Sequence, residues 1–222
     1  MTFYVLTLFP EMFEGVFSQS IIKRAQDLKK LKIKVVNIRD FARSKHKTVD
    51  DKPYGGGPGM VMKADVCIKA LESIKPKPYT ILLCASGKKY SQKVANSLSK
   101  KSSIALICGH YEGVDDRVEK FADQTYTIGD FVLTGGEIAA MAIVDSTSRL
   151  IPKVIHPESL KLESFSGKDK ILEYPQYTRP KEFRGLKVPK VLLSGNHKEI
   201  ERWRKIQAMK RIKKNRPDLL NT

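Results

Sequence analysis

IGDFVLTGGE, residues 128–137, opens where an apolar strand ends and closes where a long apolar helix begins. Its three glycines, Gly129, Gly135 and Gly136, let the backbone turn tightly and approach a neighbouring group closely. Between them Phe131, Val132 and Leu133 are apolar, whereas an ordinary surface connection is polar because exposed backbone prefers water. Two readings fit this stretch. One is a small-molecule site with apolar walls and main-chain donors and acceptors; the other is a buried, tightly wound turn that holds no ligand.

The preceding segments repeat the pattern. YTILLC (79–84) ends at Ser86-Gly87, IALIC (104–108) ends at Gly109, and the strand expected over 124–128 ends at Gly129. Helices are expected over 63–74, 91–100 and around 115–122, each before one of these strands. Apolar strands alternating with helices argue for an α/β fold, a parallel sheet covered on both faces. Ligands of such sheets bind beyond the C-terminal strand ends. Gly87, Gly109 and the 128–137 loop are therefore expected to line one pocket. No G-x-G-x-x-G is present, which counts against a standard dinucleotide site.

Toward the N-terminus, TFYVLTL (2–8) and KIKVVN (32–37) read as two more strands, separated by a helix over 11–30 that Pro10 opens. Residues 39–62 form a long irregular segment, with Arg39, Arg43, Lys45, His46 and Lys47 followed by GGGPG. No Gly-Lys-Ser/Thr follows, so it is not a P-loop. It suits either a nucleotide held through its phosphate or a flexible hinge. The helix expected over 136–150 is small or apolar on most faces, so it should pack on several sides, a second subunit included. Arg149 ends it, favourably placed against the helix dipole.

The composition limits the partners. The chain has 222 residues, enough for one core and a smaller second unit, and 41 Lys and Arg against 24 Asp and Glu give it a net charge of +17. That excess favours a polyanion such as nucleic acid. No apolar run approaches the roughly 20 residues of a membrane helix. Three cysteines, none in a C-x-x-C pair, read as reduced thiols of a cytoplasmic protein; Cys84 and Cys108 should be buried in strands, and no zinc site is expected. Residues 152–175 have a linker-like composition. Asn196 and Glu199 form a capping-box pattern at the start of a last, strongly basic helix. There Ile200, Trp203, Ile206, Met209 and Ile212 recur every third residue, which predicts a broad apolar arc rather than a clean seam.

The motifs FPEMF (9–13), TVDDKPYGGGPGM (48–60), CGHYEGVDDRV (108–118), IGDFVLTGGE (128–137) and YTRP followed by VLLSGNHKEIERWR closely resemble the bacterial tRNA (guanine-N1)-methyltransferases. These modify the guanosine 3′ of the anticodon. The resemblance implies a SPOUT fold with a deep C-terminal trefoil knot and a small all-helical C-terminal domain. It divides the chain into a catalytic domain at 1–155, a flexible linker at 156–172 and a tRNA-binding domain at 173–222. It also implies a homodimer that binds the tRNA anticodon stem-loop and uses S-adenosylmethionine as methyl donor. The matched donor-binding residues are Leu82, Leu83, Cys84, Gly109, Tyr111, Glu112, Ile128, Gly129, Asp130, Phe131, Val132, Leu133, Gly135 and Gly136.

Guanine N1 carries an amide-like proton at neutral pH. Its methylation needs a base to take that proton and a cation to stabilise charge on O6. By motif position Arg149 is the cation, Ser159 lies near the base, and Gly59, Arg43 and His46 are expected to contact the substrate. The family's aspartate lies in an Asp-Ser-Phe motif, where this chain has Glu163-Ser164-Phe165. Glu163 is thus the expected base, with Asp169 as runner-up. Competing readings are a related enzyme acting on ribose 2′-OH or on ribosomal RNA, and a non-catalytic basic RNA-binding protein.

Overall fold

The computed structural model describes residues 1–166 and 172–220. The chain divides into two compact units, Met1–Ile155 and His156–Thr222. In the first unit β1 (Thr2–Thr7) leads through a 3-10 turn to α1 (Glu14–Phe17) and α2 (Ser20–Asp27), then to β2 (Lys32–Asn37). A two-residue ladder, β3 (Asp50–Asp51) and β4 (Val61–Met62), brackets the glycine-rich segment. The regular part follows as α3 (Ala64–Glu72), β5 (Tyr79–Lys89), α4 (Gln92–Leu98), β6 (Ser103–Cys108), β7 (Gln124–Thr127) and α5 (Glu137–Ser148).

β1, β2, β5, β6 and β7 form one parallel sheet in the order β2-β1-β6-β5-β7. Both faces are covered, which explains the continuous apolar runs of the central strands. On one face Phe3, Val5, Ile81, Leu83, Ile104 and Leu106 pack with residues of α2 and with Ala140, Ile143 and Val144 of α5. On the other, Leu6, Leu82, Ala105 and Ile107 pack with Val66, Cys67, Ala70 and Leu71 of α3. The expected mixed α/β fold with a parallel sheet is present.

Three local expectations need correction. The single helix over 11–30 is broken, because Ser20 adopts a left-handed φ of 52° and the backbone turns between α1 and α2. β5 does not stop before Gly87 but runs on to Lys89, shifting register against β7 between Leu83 and Lys88. Gly87 is pressed onto the neighbouring strand there, and a β-carbon on it would lie 2.6 Å from Tyr126 N. Cys84 is exposed rather than buried, whereas Cys67 and Cys108 are buried.

The second unit begins with α6 (Pro157–Leu162), inside the stretch whose composition reads as linker. His156 caps it and Pro157 supplies a pre-set first turn. A hairpin of β8 (Glu182–Phe183) and β9 (Leu186–Lys187) follows, so this unit is not all-helical. Its two turn residues, Arg184 and Gly185, both have positive φ, as a tight hairpin requires. α7 (His197–Asn215) is capped by Asn196 Oδ1, which accepts from Glu199 N–H at 3.3 Å. The Asn196 N–H donates to Ser194 Oγ at 3.1 Å. The arc along α7 is broad: Ala208 and Ile212 are buried while Ile206 and Met209 stay exposed. Residues 172–178 run along this helix, with the Arg204 guanidinium 4.6 Å from the Tyr174 ring centroid and Arg211 Nη1 donating to Glu173 O at 3.2 Å. Among the described residues no helix is long and apolar enough to cross a membrane.

Candidate functional site

Beyond the C-terminal ends of β5, β6 and β7 lies a cleft of about 350 Å³. Three segments build it. Leu82 to Ser86 come from β5, Gly109 to Val114 follow β6, and Thr125 to Gly129 with Phe131 to Gly136 run from β7 to α5. Close backbone approach makes this possible. Gly136 N–H donates to Gly109 O at 2.8 Å, and a β-carbon on Gly136 would lie 2.8 Å from Cys108 Cα. Tyr111 holds a φ of 60°, turning its ring into the wall.

Of the expected donor-binding residues, Leu82, Leu83, Cys84, Gly109, Tyr111, Glu112, Ile128, Gly129, Phe131, Val132, Leu133, Gly135 and Gly136 line this cleft. Asp130 does not. Its carboxylate is turned outward to Lys89 Nζ at 2.9 Å, with both side chains mostly exposed. Gly87 is also absent from the lining, because it packs on Tyr126.

Electrostatically the cleft is unlike the rest of the chain. Glu112, Asp116 and Glu119 line it, and none of its described lining residues is a lysine or arginine, in a chain carrying 41 of them. Asp115, next to this group, receives hydrogen bonds from Arg117 Nε and Nη2 at 2.8 and 2.6 Å. The Arg117 side-chain bond holds the Asp115 carboxyl below the usual range.

The GGGPG segment docks at the same rim. Glu112 N–H donates to Met60 O at 3.0 Å, Met62 N–H to Gly113 O at 2.9 Å and Asp115 N–H to Met62 O at 2.9 Å. Gly59, at a φ of +77°, faces the Glu112 side chain. Arg43 and His46 are exposed on the preceding loop and are not lining residues.

The expected chemical pair falls in different units. Arg149 is the half-buried C-cap of α5, its N–H donating to Asp145 O at 3.2 Å. In the second unit Ser159 is exposed in the first turn of α6 and Glu163 is its half-buried C-cap. Asp169, the runner-up base, lies outside the described residues.

Sequence reading missed a buried carboxylate next in the chain to the cleft-lining Gly136. Glu137, the first residue of α5, is only 2% exposed; its Oε1 accepts from Thr7 Oγ1 at 2.7 Å, and its Oε2 lies 4.0 Å from His110 Nδ1. A carboxylate opening a helix whose next seven residues are all apolar is the signal that could have found it. The rim carboxylates were legible too, as Glu112, Asp116 and Glu119 recur at three- and four-residue spacing. Among the described residues no group of three or more His, Cys, Asp or Glu is placed to hold a metal ion.

A family model described as tRNA (Guanine-1)-methyltransferase TrmD matches residues 1–222, the whole chain. The chain belongs to this family. Three curated relatives, each named tRNA (guanine-N(1)-)-methyltransferase, show how close the relation is. The protein of Caldanaerobacter subterraneus subsp. tengcongensis is 55% identical, covering 99% of this chain and 92% of its own. That of Dictyoglomus turgidum is 55% identical over 97% of this chain and 88% of its own. That of Carboxydothermus hydrogenoformans is 54% identical over 97% and 86%. The cleft described above is thus the candidate active site of a tRNA (guanine-1)-methyltransferase family member.

Proposed function

We propose that this protein methylates N1 of the guanosine 3′ of the anticodon in tRNA, with S-adenosylmethionine as methyl donor. The family and the names of its relatives support the reaction. The observation that carries the donor is the sign of the cleft. A ligand with phosphates would need cations against it, and although the N-terminus of α5 borders the cleft, its side chains offer three carboxylates and no lysine or arginine. A sulfonium and an ammonium suit that surroundings. Leu82, Leu83, Ile128, Leu133 and Ala139 supply apolar walls for a purine, and the loop backbone supplies donors and acceptors for its edge.

S-adenosylmethionine supplies the electrophilic methyl group when bound. The chain's own task is to make guanine N1 nucleophilic. Glu163 takes the N1 proton as general base, and the Arg149 guanidinium stabilises the negative charge gathering on O6. Glutamate here is one methylene longer than the family's aspartate; Asp169 is the alternative base. Gly59, Arg43, His46 and Ser159 are proposed to contact the tRNA.

Further proposals follow from the resemblance. Met1–Ile155 is read as a SPOUT domain with a C-terminal knot, which the tight seating of Gly136 against Cys108 and Gly109 supports. The exposed Phe131, Val132 and Ile138 favour a second copy of the chain as cover. The basic α7 favours a tRNA-binding role for the second unit. A tRNA substrate favours the cytoplasm. The test is transfer of labelled methyl from S-adenosylmethionine to tRNA transcripts carrying G or A at the target position. Label should enter the G transcript alone, and incorporation independent of that base would refute the proposal.

A further inference from the structure

Glu137 is a carboxylate buried to within 2% of completely, and burial of a charge is costly unless both oxygens are bonded. Thr7 provides for one of them. Oε1 accepts from Thr7 Oγ1 at 2.7 Å, and that hydroxyl in turn accepts from Phe9 N–H at 2.9 Å, which fixes it as a donor toward Glu137. Oε2 faces His110 Nδ1 across 4.0 Å, beyond hydrogen-bonding distance. His110 Nδ1 is itself buried without a partner. A buried donor-capable nitrogen without a partner thus faces a carboxylate oxygen with about 1 Å to close.

His110 stands between the two walls of the cleft. Its ring packs on Phe9 at 4.6 Å and edge-on to Tyr111 at 5.0 Å, and Tyr111 lines the cleft. Its backbone bridges Gly135 at the end of the opposite loop. Gly135 is needed there, since a β-carbon on it would lie 2.6 Å from His110 Nδ1. A small movement of the Tyr111 segment toward the Gly135 loop is therefore the movement that would join Nδ1 to Oε2.

We propose that Thr7, Glu137 and His110 form a positioning unit for the methyl-donor site, in which filling the cleft draws His110 Nδ1–H onto Glu137 Oε2. The inference rests on the reading of the cleft as the donor site. None of the three residues is assigned a chemical step. They set donor affinity by deciding how readily the two walls close.

Calorimetry of S-adenosylmethionine binding to the full chain, wild type and variants, tests this, with nitrogen NMR of the His110 ring alongside. Thr7→Val and Glu137→Gln should weaken donor binding about tenfold or more. Thr7→Ser, which keeps the hydroxyl, should bind as wild type. In the wild type, saturation should move the Nδ1 resonance to that of a hydrogen-bonded N–H. Wild-type binding without that NMR change, or unaltered affinity in Thr7→Val and Glu137→Gln, would overturn the inference and leave the donor site standing. Failure of the wild type to bind would overturn the donor reading and this inference with it. The NMR measurement needs no variant, so it holds even if a substitution prevents folding.

Discussion

The Glu112 side chain fills the space that a β-carbon on Gly59 would need, with its Cγ 2.5 Å from that position. Two distant motifs, TVDDKPYGGGPGM and CGHYEGVDDRV, are thereby locked into one rim, and the main-chain bonds between Met60–Met62 and Glu112–Asp115 complete the lock. Gly59 also sits at a φ of +77°, where an L side chain is strained. Gly59→Ala should therefore push Glu112 off the rim and weaken S-adenosylmethionine binding by roughly 10- to 100-fold, the equivalent of about 1–3 kcal/mol of strain. Circular dichroism should be unchanged, since the sheet is not touched. Binding as tight as wild type would show that Glu112 is not part of the donor site.

Gly87 makes a different prediction. Its neighbour is the backbone of Tyr126, which cannot swing away as a side chain can. Gly87→Ala should separate β5 from β7 locally and cost about 2–3 kcal/mol in thermal or denaturant unfolding. A variant as stable as wild type would mean that the register shift between Leu83 and Lys88 relaxes freely.

The three thiols should behave unequally. Burial pushes the Cys67 thiol up to about 12, with Asp65 and Asp115 adding to it, and burial raises Cys108 well above its ordinary value. Only the exposed Cys84 should react with a thiol reagent in the native chain, and all three after unfolding. Because the native state holds the Cys67 proton more tightly than the unfolded state, stability is full below the ordinary thiol value. The Cys67 contribution falls as pH rises from about 9 to about 12, by at most about 1.4 kcal/mol per pH unit, and the raised Cys108 thiol adds a loss of the same sign. Reaction of all three thiols in the native protein at neutral pH would contradict this packing.

The proposed chemistry separates from binding. Glu163→Gln and Arg149→Ala should each lower turnover by roughly 10²- to 10⁴-fold while the dissociation constant for S-adenosylmethionine stays that of wild type. Retained turnover in Glu163→Gln would remove Glu163 as the base and turn attention to Asp169.

Much of the sheet was legible because a parallel strand buried on both faces leaves an unbroken apolar run, as in IALIC and YTILLC. What escaped depends on contacts remote in sequence. The bend before α2 turns on the left-handed backbone of Ser20, and the exposure of Cys84 on β5 bordering the cleft, which no local pattern announces. The site showed the same division. Gly109 and the glycines and apolar residues of the 128–137 loop could be read from their place after strand ends, but Gly87 could not be told apart from them, nor Asp130 from its neighbours, until their contacts with Tyr126 and Lys89 were seen. Thr7 and Glu137 are 130 residues apart, and only the adjacency of β1, β6 and α5 joins them.

The central claim is tested most directly by nucleoside analysis. A tRNA transcript with G 3′ of the anticodon is incubated with the protein and S-adenosylmethionine, digested to nucleosides and resolved by mass spectrometry. The account predicts 1-methylguanosine as the product, absent when that G is replaced. A product of 2′-O-methylguanosine, or no methylated nucleoside from a protein that binds S-adenosylmethionine, would contradict it.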